Sequence, residues 1–238
     1  MIFRQLFHAD TGTYTYLLGC EQTRESVLID PVVDNLEQYL ELLRQLNLGL
    51  VAALDTHVHA DHITALGALR EKTGCISMMG EPARASCVSA SFRDGDIIQF
   101  GKHSLKALYT PGHTDDSYSF LLQAGAAKSI TEDYVFTGDT LLIRGSGRTD
   151  FQNGNARDQY HSLFNKLLTL PDETRVYPGH DYKGWTMSTI GEEKAYNPRL
   201  QVADEKAYVE LMGNLKLANP KHMDVAVPAN LACGKKSA

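Results

Sequence analysis

The sequence predicts a layered α/β fold built on two β-sheets. Short runs rich in β-branched, aromatic and apolar residues occupy the first part of the chain, and helical and strand patterns then alternate. Histidine or aspartate residues follow several of the predicted strands directly. Because loops at strand ends carry functional side chains on a rigid scaffold, these residues indicate a site at an edge of the sheets.

Each element is predicted from its apolar pattern and from the residues that end it. Asp34 is the expected N-cap of the first helix, Gly74 ends the second, and Pro171 stops the third. Helices are predicted over 34–46, 60–72, 156–168 and 204–217, the last being the final helix. Strands are predicted over 2–7, 13–18, 26–30, 50–55, 75–79, 97–100, 105–110, 118–122, 134–137 and 174–177.

Length and charge limit the classes of function. The chain has 238 residues and a net charge of −6, which suits an acidic globular protein with one large domain or two small ones. No run of basic residues exceeds Lys235-Lys236, so nucleic acid is not an expected partner. No apolar stretch approaches the roughly 18–20 residues of a membrane span. The N-terminal residues show neither a signal-peptide nor a transit-peptide pattern, so we expect a cytoplasmic protein, with a processed mitochondrial protein as the open alternative.

The four cysteines are widely spaced and form no Cys-x-x-Cys motif. We therefore expect reduced thiols in a cytosolic protein rather than a disulfide framework. Cys20 and Cys75 are expected to be packed in the core, and a single catalytic cysteine stays open as an alternative. The remaining two cysteines are Cys87 and Cys233.

The densest cluster of candidate ligands follows the apolar run 50–54. His57, His59, Asp61 and His62 fall within six positions there. Imidazole nitrogens and carboxylate oxygens hold zinc, iron or manganese at neutral pH. The alternative is a set of surface histidines at the start of a helix, with Asp61 as a cap. Further ligands downstream favour a metal site.

Three more candidates each follow a strand and a glycine. His113 and His180 both lie in a Pro-Gly-His sequence, and Asp139 follows Gly138. Glycine lets the backbone turn sharply and approach other groups closely. One Pro-Gly-His alone is typical of a turn with an incidental histidine, but two copies together with the cluster at 57–62 predict a metal centre. The histidines without such a setting are expected to be surface or packing residues; they are His8, His103, His161 and His222.

The string His57-Val58-His59-Ala60-Asp61-His62, followed by His113, Asp139 and His180, resembles the metallo-β-lactamase superfamily. The resemblance implies a four-layer αββα sandwich, here one domain over 1–238 with a short helical extension from about residue 204. Within the superfamily, several segments resemble the persulfide dioxygenases. These segments are 59–64, 136–145, 147–152, 180–182, 197–200, 212–215 and 225–230.

That family implies one Fe(II) per chain, held by His57, His113 and Asp139. Two histidines and one carboxylate form the facial triad of non-haem iron oxygenases, which leaves coordination positions open. The implied reaction oxidises glutathione persulfide with O2 to sulfite and glutathione, a step of sulfide oxidation. The remaining candidates would then hydrogen-bond the ligands and bound water, as metal-site neighbours do. They are His59, Asp61, His62 and His180.

Two other functions stay open. A glyoxalase II-like hydrolase would use two metals to activate water for thioester cleavage. Its first metal would take His57, His59 and His113, its second Asp61, His62 and His180, and Asp139 would lie between them. The segment 141–152 and the short part after Asp204 favour the dioxygenase. The other alternative is a metal-binding protein without catalytic activity.

Cationic groups near the ligands are the candidates for binding the two carboxylates of glutathione, with Arg suited to bidentate contacts. They are Arg144, Arg148 and Lys183; an ion pair with Asp150 is the alternative for Arg148. His180 and Tyr182 are the candidate catalytic residues, Tyr182 as a hydrogen-bond donor to substrate sulfur or bound oxygen, with a packed tyrosine as the alternative.

Two acidic residues, Asp115 and Asp116, follow His113 where many superfamily members have Thr-Pro-Gly after the histidine. An exposed acidic turn is the favoured interpretation, and an effect on loop shape or substrate preference is the other. The metal actually loaded and the oligomeric state stay open, with a homodimer as one arrangement.

Overall fold

Two six-stranded sheets form the centre of the computed structural model, which describes residues 1–124, 132–216 and 223–234. The first sheet keeps the order of the chain from edge to edge. Its first three strands pair antiparallel and its last four pair parallel. The strands are β1 (Ile2–His8), β2 (Thr13–Gly19), β3 (Glu25–Ile29), β4 (Gly49–Leu54), β5 (Ile76–Gly80) and β6 (Ala90–Phe92).

The second sheet contains β7 (Ile97–Phe100), β8 (His103–Tyr109), β9 (Tyr118–Leu122), β10 (Tyr134–Gly138), β11 (Arg175–Pro178) and β12 (Ser188–Thr189), also in chain order across the sheet. β9 pairs antiparallel with both β8 and β10, and β10 pairs parallel with β11. Therefore β8, β10 and β11 run in one direction, and their C-terminal ends lie at the same edge of the sheet.

Six helices are present in the described ranges. They are α1 (Leu36–Gln45), α2 (Leu66–Thr73), α3 (Ala156–Asn165), α4 (Ile190–Tyr196), α5 (Glu205–Gly213) and α6 (Met223–Leu231). Short 3-10 turns cover Val33–Asn35, Glu81–Ala83 and Leu167–Thr169. Among the described residues, no helix is both long and apolar enough to cross a bilayer.

Three apolar clusters define four layers. The central cluster joins side chains of both sheets, such as Tyr16 of β2 and Phe136 of β10. A second cluster joins the outer face of the first sheet to α1 and α2, and a third joins the outer face of the second sheet to α3, α4 and α5. Burying one face of each helix and both faces of each sheet is the stable solution for such elements. The predicted αββα sandwich is confirmed.

The largest error in the predicted elements lies at the candidate ligands. The helix predicted over 60–72 begins only at Leu66, and residues 55–65 form an irregular loop. Asp34 lies inside a 3-10 turn, and the N-cap position of α1 belongs to Asn35. Asp204 does cap α5, since its side chain accepts a hydrogen bond from the Ala207 N–H. The predicted end of that helix at residue 217 lies outside the described residues.

Four elements have no counterpart among the predicted ones: β6, β12, α4 and α6. The two strands have only three and two residues. The sequence of α6 contains Pro228 and is almost uniformly apolar, so it lacks helical periodicity. The prediction that this helix, α5, is the final one is therefore wrong, because α6 follows it.

The expectation of four reduced thiols is wrong for two of the cysteines. Cys87 and Cys233 form a disulfide across a sequence separation of 146 residues. Cys20 and Cys75 are free and buried, as predicted. Sequence spacing could not predict this pair, because Cys233 follows α6 near the C-terminal end and Cys87 lies in the loop before β6.

Candidate metal centre

The sheet topology brings the predicted ligands to one place. His113, Asp139 and His180 follow β8, β10 and β11, whose C-terminal ends lie at the same edge of the second sheet. His57 follows β4 of the first sheet. The two sheets are joined at this edge by a hydrogen bond of 2.8 Å from the Tyr118 N–H to the Thr56 carbonyl.

Glycine is required at two positions beside the ligands. Gly138 has a φ of +48°, and a Cβ there would lie 2.7 Å from Oγ1 of Thr56. A Cβ on Gly147 would lie 2.4 Å from the carbonyl oxygen of Asp139 and 2.7 Å from Nδ1 of His113. Both contacts are too close for any other residue, so these glycines let the ligand loops pack against one another.

His57, His113 and Asp139 form the first group that could hold a metal, since their ligand atoms all lie within 4.8 Å of one another. Nδ1 of His113 lies 2.7 Å from the Arg148 carbonyl oxygen, to which it donates. That bond leaves Nε2 as the unprotonated nitrogen, and Nε2 lies 3.6 Å from Oδ2 of Asp139. A backbone carbonyl that fixes the tautomer in this way is typical of metal-binding histidines.

The protonation states suit metal binding. Burial lowers the pKa of His57 well below its ordinary value, and the neighbouring His59 and His113 lower it further. Burial alone would raise the pKa of Asp139, but the adjacent His180, His113 and His57 outweigh it and lower that pKa. A neutral imidazole and an ionised carboxylate are the forms in which these side chains bind metals.

His180 contacts two carboxylates. Its Nδ1 lies 2.6 Å from Oδ1 of Asp139, and its Nε2 lies 2.9 Å from Oδ2 of Asp61. Burial lowers the pKa of His180, but Asp139 and Asp61 outweigh it and raise the pKa well above the ordinary value. Both ring nitrogens of His180 are therefore engaged in hydrogen bonds, one of them with a residue of the first group.

His59, Asp61 and His62 form a second group, whose ligand atoms also lie within 4.8 Å of one another. Nδ1 of His62 lies 2.9 Å from Oδ2 of Asp61. Nδ1 of His59 and Nε2 of His62 are buried and have no hydrogen-bond partner in the protein. Because an unsatisfied buried polar atom costs about 1–3 kcal/mol, these nitrogens fit a site that holds a metal or its bound water.

A third group, Asp30, Asp55 and His59, shares His59 with the second group and is fully buried. Asp30 accepts hydrogen bonds from the N–H and hydroxyl of Thr56 and lies 3.2 Å from Nε2 of His59. Burial lowers the pKa of His59, but Asp30, Asp55 and Asp61 together outweigh it and raise the pKa to about 9. Burial raises the pKa of Asp55 to about 8. Asp30 therefore holds the ring of His59 through its Nε2.

The sequence interpretation missed several residues of the site. Thr13 lies at the start of β2, and its hydroxyl oxygen lies 3.1 Å from both Oδ2 of Asp61 and Nε2 of His180. Asp30 directly follows β3 and so carries the same strand-end signal as Asp139. The side chains of Gln152 and Asn230 donate hydrogen bonds to backbone carbonyls of residues 55–65, which we call the histidine loop. No local sequence pattern predicts these two contacts.

Arg144 and Arg148 both meet carboxylates of the protein. The guanidinium of Arg148 lies 2.7 Å and 2.8 Å from the two carboxylate oxygens of Asp150, and it stacks 4.3 Å above the ring of Phe151. The guanidinium of Arg144 pairs with Glu192 and Glu193. The ion pair with Asp150, which the sequence analysis gave as the alternative role of Arg148, is therefore present.

Tyr182 and Lys183 lie at the surface beside His180. The Tyr182 side chain is 75% exposed, and its ring stacks on that of His180 with 6.1 Å between centroids. Tyr182 therefore borders the site at the protein surface. Lys183 is exposed, and its backbone N–H donates to Asp181.

Asp116 does not belong to an exposed turn. Asp115 is exposed as expected, but Asp116 is buried, and its Oδ2 accepts a hydrogen bond of 2.8 Å from the Val58 N–H. The exposed-turn interpretation is wrong for Asp116, because this side chain supplies a partner to the histidine loop. Of the other histidines, His8, His103 and His161 belong to none of the three groups, and His222 lies outside the described residues.

The metallo-beta-lactamase superfamily model matches residues 9–180. Persulfide dioxygenase ETHE1, mitochondrial, of Homo sapiens is 45% identical over 98% of this chain and 89% of its own length. The crystal structure of ETHE1 from Myxococcus xanthus is 52% identical, with a TM-score of 0.93 over 99% of this chain and 100% of that one. The probable hydroxyacylglutathione hydrolase SPCC13B11.03c of Schizosaccharomyces pombe is 32% identical over 89% of this chain and 90% of its own.

These similarities and the strand-end histidine and aspartate groups define the class of protein. The chain belongs to the metallo-beta-lactamase superfamily. Within that superfamily, its likeness over nearly the whole chain is to the persulfide dioxygenase ETHE1 proteins, as the sequence motifs predicted.

Proposed function

We propose that this protein is a persulfide dioxygenase, which oxidises glutathione persulfide with O2 to sulfite and glutathione. The terminal sulfur of the persulfide gains three oxygen atoms, two from O2 and one from water, as the sulfur–sulfur bond breaks and the glutathione thiol forms. The likeness to the ETHE1 proteins over nearly the full chain supports this function. The observation that carries it in the structure is the group of His57, His113 and Asp139.

The proposed cofactor is one Fe(II) per chain, held by that group. When bound, Fe(II) supplies open coordination positions for a sulfur ligand and O2. Support for a single ion comes from His180, because both of its ring nitrogens already contact carboxylates. A second ion coordinated by His180 would require one of those two hydrogen bonds to break.

The residues around the group have orienting roles in this proposal. His180 donates to Asp139 and so fixes the direction in which that carboxylate points, and Asp61 holds His180 from its other side. His59 and His62 direct their unpartnered nitrogens at bound water. Residues that hold ligands in place typically change affinity or activity by about 10–100-fold when they are replaced.

Substrate contacts are proposed at the exposed side of the site. The Tyr182 hydroxyl would donate a hydrogen bond to the persulfide sulfur, since its ring lies against His180 and is accessible. Arg148 and Lys183 would bind the carboxylates of glutathione. Arg144 is the third candidate; a substrate carboxylate would compete with Glu192 and Glu193 there, and with Asp150 at Arg148.

Metal analysis combined with oxygen consumption tests the proposal. Protein loaded anaerobically with Fe(II) should contain about one equivalent of iron, as one facial triad requires. It should consume O2 when glutathione persulfide is added and release sulfite. Two equivalents of zinc together with thioester hydrolysis and no O2 uptake would contradict the proposal.

One specific observation favours a second candidate, a thioester hydrolase with two metals. The group of His59, Asp61 and His62 has its ligand atoms close together beside the first group. The relative from Schizosaccharomyces pombe bears a hydrolase name.

Activity towards neither persulfide nor thioester in metal-replete protein would point instead to a non-catalytic metal-binding protein. A homodimer, a cytoplasmic location and a single domain with its helical extension stay predictions.

A further inference from the structure

The loop over residues 55–65 carries four of the candidate ligands, yet it contains neither helix nor strand. Backbone N–H and C=O groups that are buried outside regular structure need partners elsewhere. Val58 finds two such partners, since its N–H donates to Asp116 and its carbonyl accepts from Nε2 of Gln152 at 2.7 Å. Asp30 accepts from the Thr56 N–H, and Ile63 and Ala65 are bonded to the backbone of Val33 and Pro31. Backbone groups of residues 59, 62 and 64 instead bond a residue from the far end of the chain.

That residue is Asn230 of α6, whose side chain is fully buried. Its Nδ2 donates to the carbonyl oxygens of His59 at 2.9 Å and His62 at 2.8 Å. Its Oδ1 accepts from the Thr64 N–H at 2.8 Å. One amide thus uses both donor hydrogens and its oxygen on three backbone groups within six positions, two of which belong to metal-ligand candidates.

The position of Asn230 is itself fixed. The disulfide between Cys87 and Cys233 ties the chain just after α6 to the loop before β6. The Cys233 carbonyl accepts a hydrogen bond of 3.1 Å from the Gly67 N–H at the start of α2. A Cβ on Gly67 would lie 2.5 Å from that same oxygen. Only glycine therefore allows the backbone of α2 to approach the backbone of Cys233 this closely. α6 is therefore held against the layer that supports the histidine loop.

We propose that Asn230 is a positioning residue of the metal centre. It holds the backbone of His59 and His62 so that the unpartnered nitrogens, Nδ1 of His59 and Nε2 of His62, face the site. Without it, three backbone groups would lose their partners, and the loop could rotate its imidazoles away from the metal. This role rests on the proposed metal centre, but it is independent of the substrate and of the number of metals.

The test uses metal affinity rather than turnover. Full-length Asn230→Ala, Asn230→Ser and parent protein are stripped of metal and titrated with Co(II), whose visible spectrum reports coordination geometry. The matched control is Asn197→Ala, which also removes a fully buried asparagine; its amide bonds the Leu142 and Gly145 carbonyls rather than the histidine loop. Thermal unfolding of each metal-free protein is measured in parallel.

Asn230→Ala should weaken Co(II) binding by about 10–100-fold and change the Co(II) spectrum, as the loss of residues that orient the surroundings of a metal does. Asn230→Ser keeps one hydroxyl, so its loss should be smaller, and it keeps the test decisive if the alanine variant fails to fold. Asn197→Ala should lower the melting temperature and leave Co(II) affinity and spectrum as in the parent. Parent-like affinity and spectrum in Asn230→Ser and Asn230→Ala would overturn the proposal, whether or not their stability falls.

The two proposals fail in different ways. Parent protein that binds Co(II), yet consumes no O2 with glutathione persulfide after loading with Fe(II), would refute the dioxygenase and leave the positioning role testable as described. Weak Co(II) binding in all variants including Asn197→Ala would refute the positioning role, because general destabilisation would then explain the loss.

Discussion

Nδ1 of His180 lies 2.6 Å from Oδ1 of Asp139, a short hydrogen bond between an imidazole whose pKa the neighbouring carboxylates raise and a carboxylate whose pKa the neighbouring histidines lower. Charge-assisted bonds of this kind are roughly twice as strong as neutral ones. Asp139 therefore has one oxygen committed to His180 and the other, Oδ2, directed towards His113. The pair links a ligand of the proposed iron to the residues behind it.

The first prediction follows from that bond. His180→Ala should lower metal affinity by about 10–100-fold while the maximal metal content stays near one equivalent per chain, because His180 orients a ligand but is not one. Anaerobic iron titration with elemental analysis measures both quantities. A fall from two equivalents in the parent to one in the variant would identify His180 as a ligand of a second ion.

The second prediction compares two carboxylates. Asp139→Ala removes the anionic member of the proposed triad and leaves two neutral imidazoles, so iron binding and activity should both be lost. Asp61→Ala should retain iron with about 10–100-fold weaker binding or activity, since Asp61 acts through His180 and His62. Iron content after desalting distinguishes the variants. Equal loss of iron in both would make Asp61 a direct ligand.

The three candidate residues at the strand ends of the second sheet could be recognised because their signals are local. Each of His113, Asp139 and His180 follows a recognisable strand and a glycine, and the shared direction of β8, β10 and β11 brings these three ends together. Runs of β-branched, aromatic and apolar residues likewise predicted the longer strands of both sheets. Where the signal of a residue and its structural role lie in the same short segment, the sequence was sufficient.

The rest depends on contacts between distant segments. Asn230 lies in a helix without helical periodicity and Cys233 lies just after it, and their partners are more than 100 residues away. Residues 60–65 have helical propensity, but side chains such as Asn230 and Asp116 hold the adjoining backbone in an irregular loop. Tertiary hydrogen bonds override local propensity there, and no pattern in a single segment reports them.

The third prediction concerns Arg148. Arg148→Gln should raise the KM for glutathione persulfide more than it lowers kcat, because the proposed carboxylate contact is remote from the reacting sulfur. A small persulfide without those carboxylates should react equally well with variant and parent. Asp150→Asn is the matched control, since it removes the ion pair but keeps the guanidinium. If Asp150→Asn reproduces the kinetic defect, Arg148 acts by ordering its own loop.

The fourth prediction concerns the disulfide. Thiol titration of unfolded, unreduced protein should detect two thiols, Cys20 and Cys75, and reduction should raise the number to all four. Because the disulfide closes a loop of well over 100 residues, Cys87→Ser should lower the free energy of unfolding by about 2–5 kcal/mol. Cys75→Ser, which alters a free thiol, is the control. It keeps the disulfide, so its stability should fall on reduction as that of the parent does, whereas the stability of Cys87→Ser should not change on reduction. Four thiols without reductant would contradict the pairing.

The fifth prediction is a pH dependence that depends on Asp116. Burial raises the pKa of this carboxyl above its ordinary value, with the nearby Asp115 raising it further. A carboxyl whose pKa is raised in the folded protein contributes stability that is fully present below its unfolded pKa of about 3.9 and is lost as pH rises through the folded pKa. At neutral pH the parent should therefore carry a cost, about 1.4 kcal/mol for each unit of pKa shift.

Asp116→Asn removes this titration and keeps a carbonyl oxygen that can accept from the Val58 N–H. The difference in unfolding free energy between variant and parent should shift in favour of the variant as pH rises from 4 to 8. Urea unfolding of the metal-free proteins at several pH values measures this difference. Asp115→Asn is the comparison, because it leaves the Asp116 carboxyl in place and removes only the smaller contribution of Asp115 to its raised pKa, so its curve should differ less from that of the parent. A parallel curve for Asp116→Asn would mean that the folded protein does not shift the titration of this carboxyl.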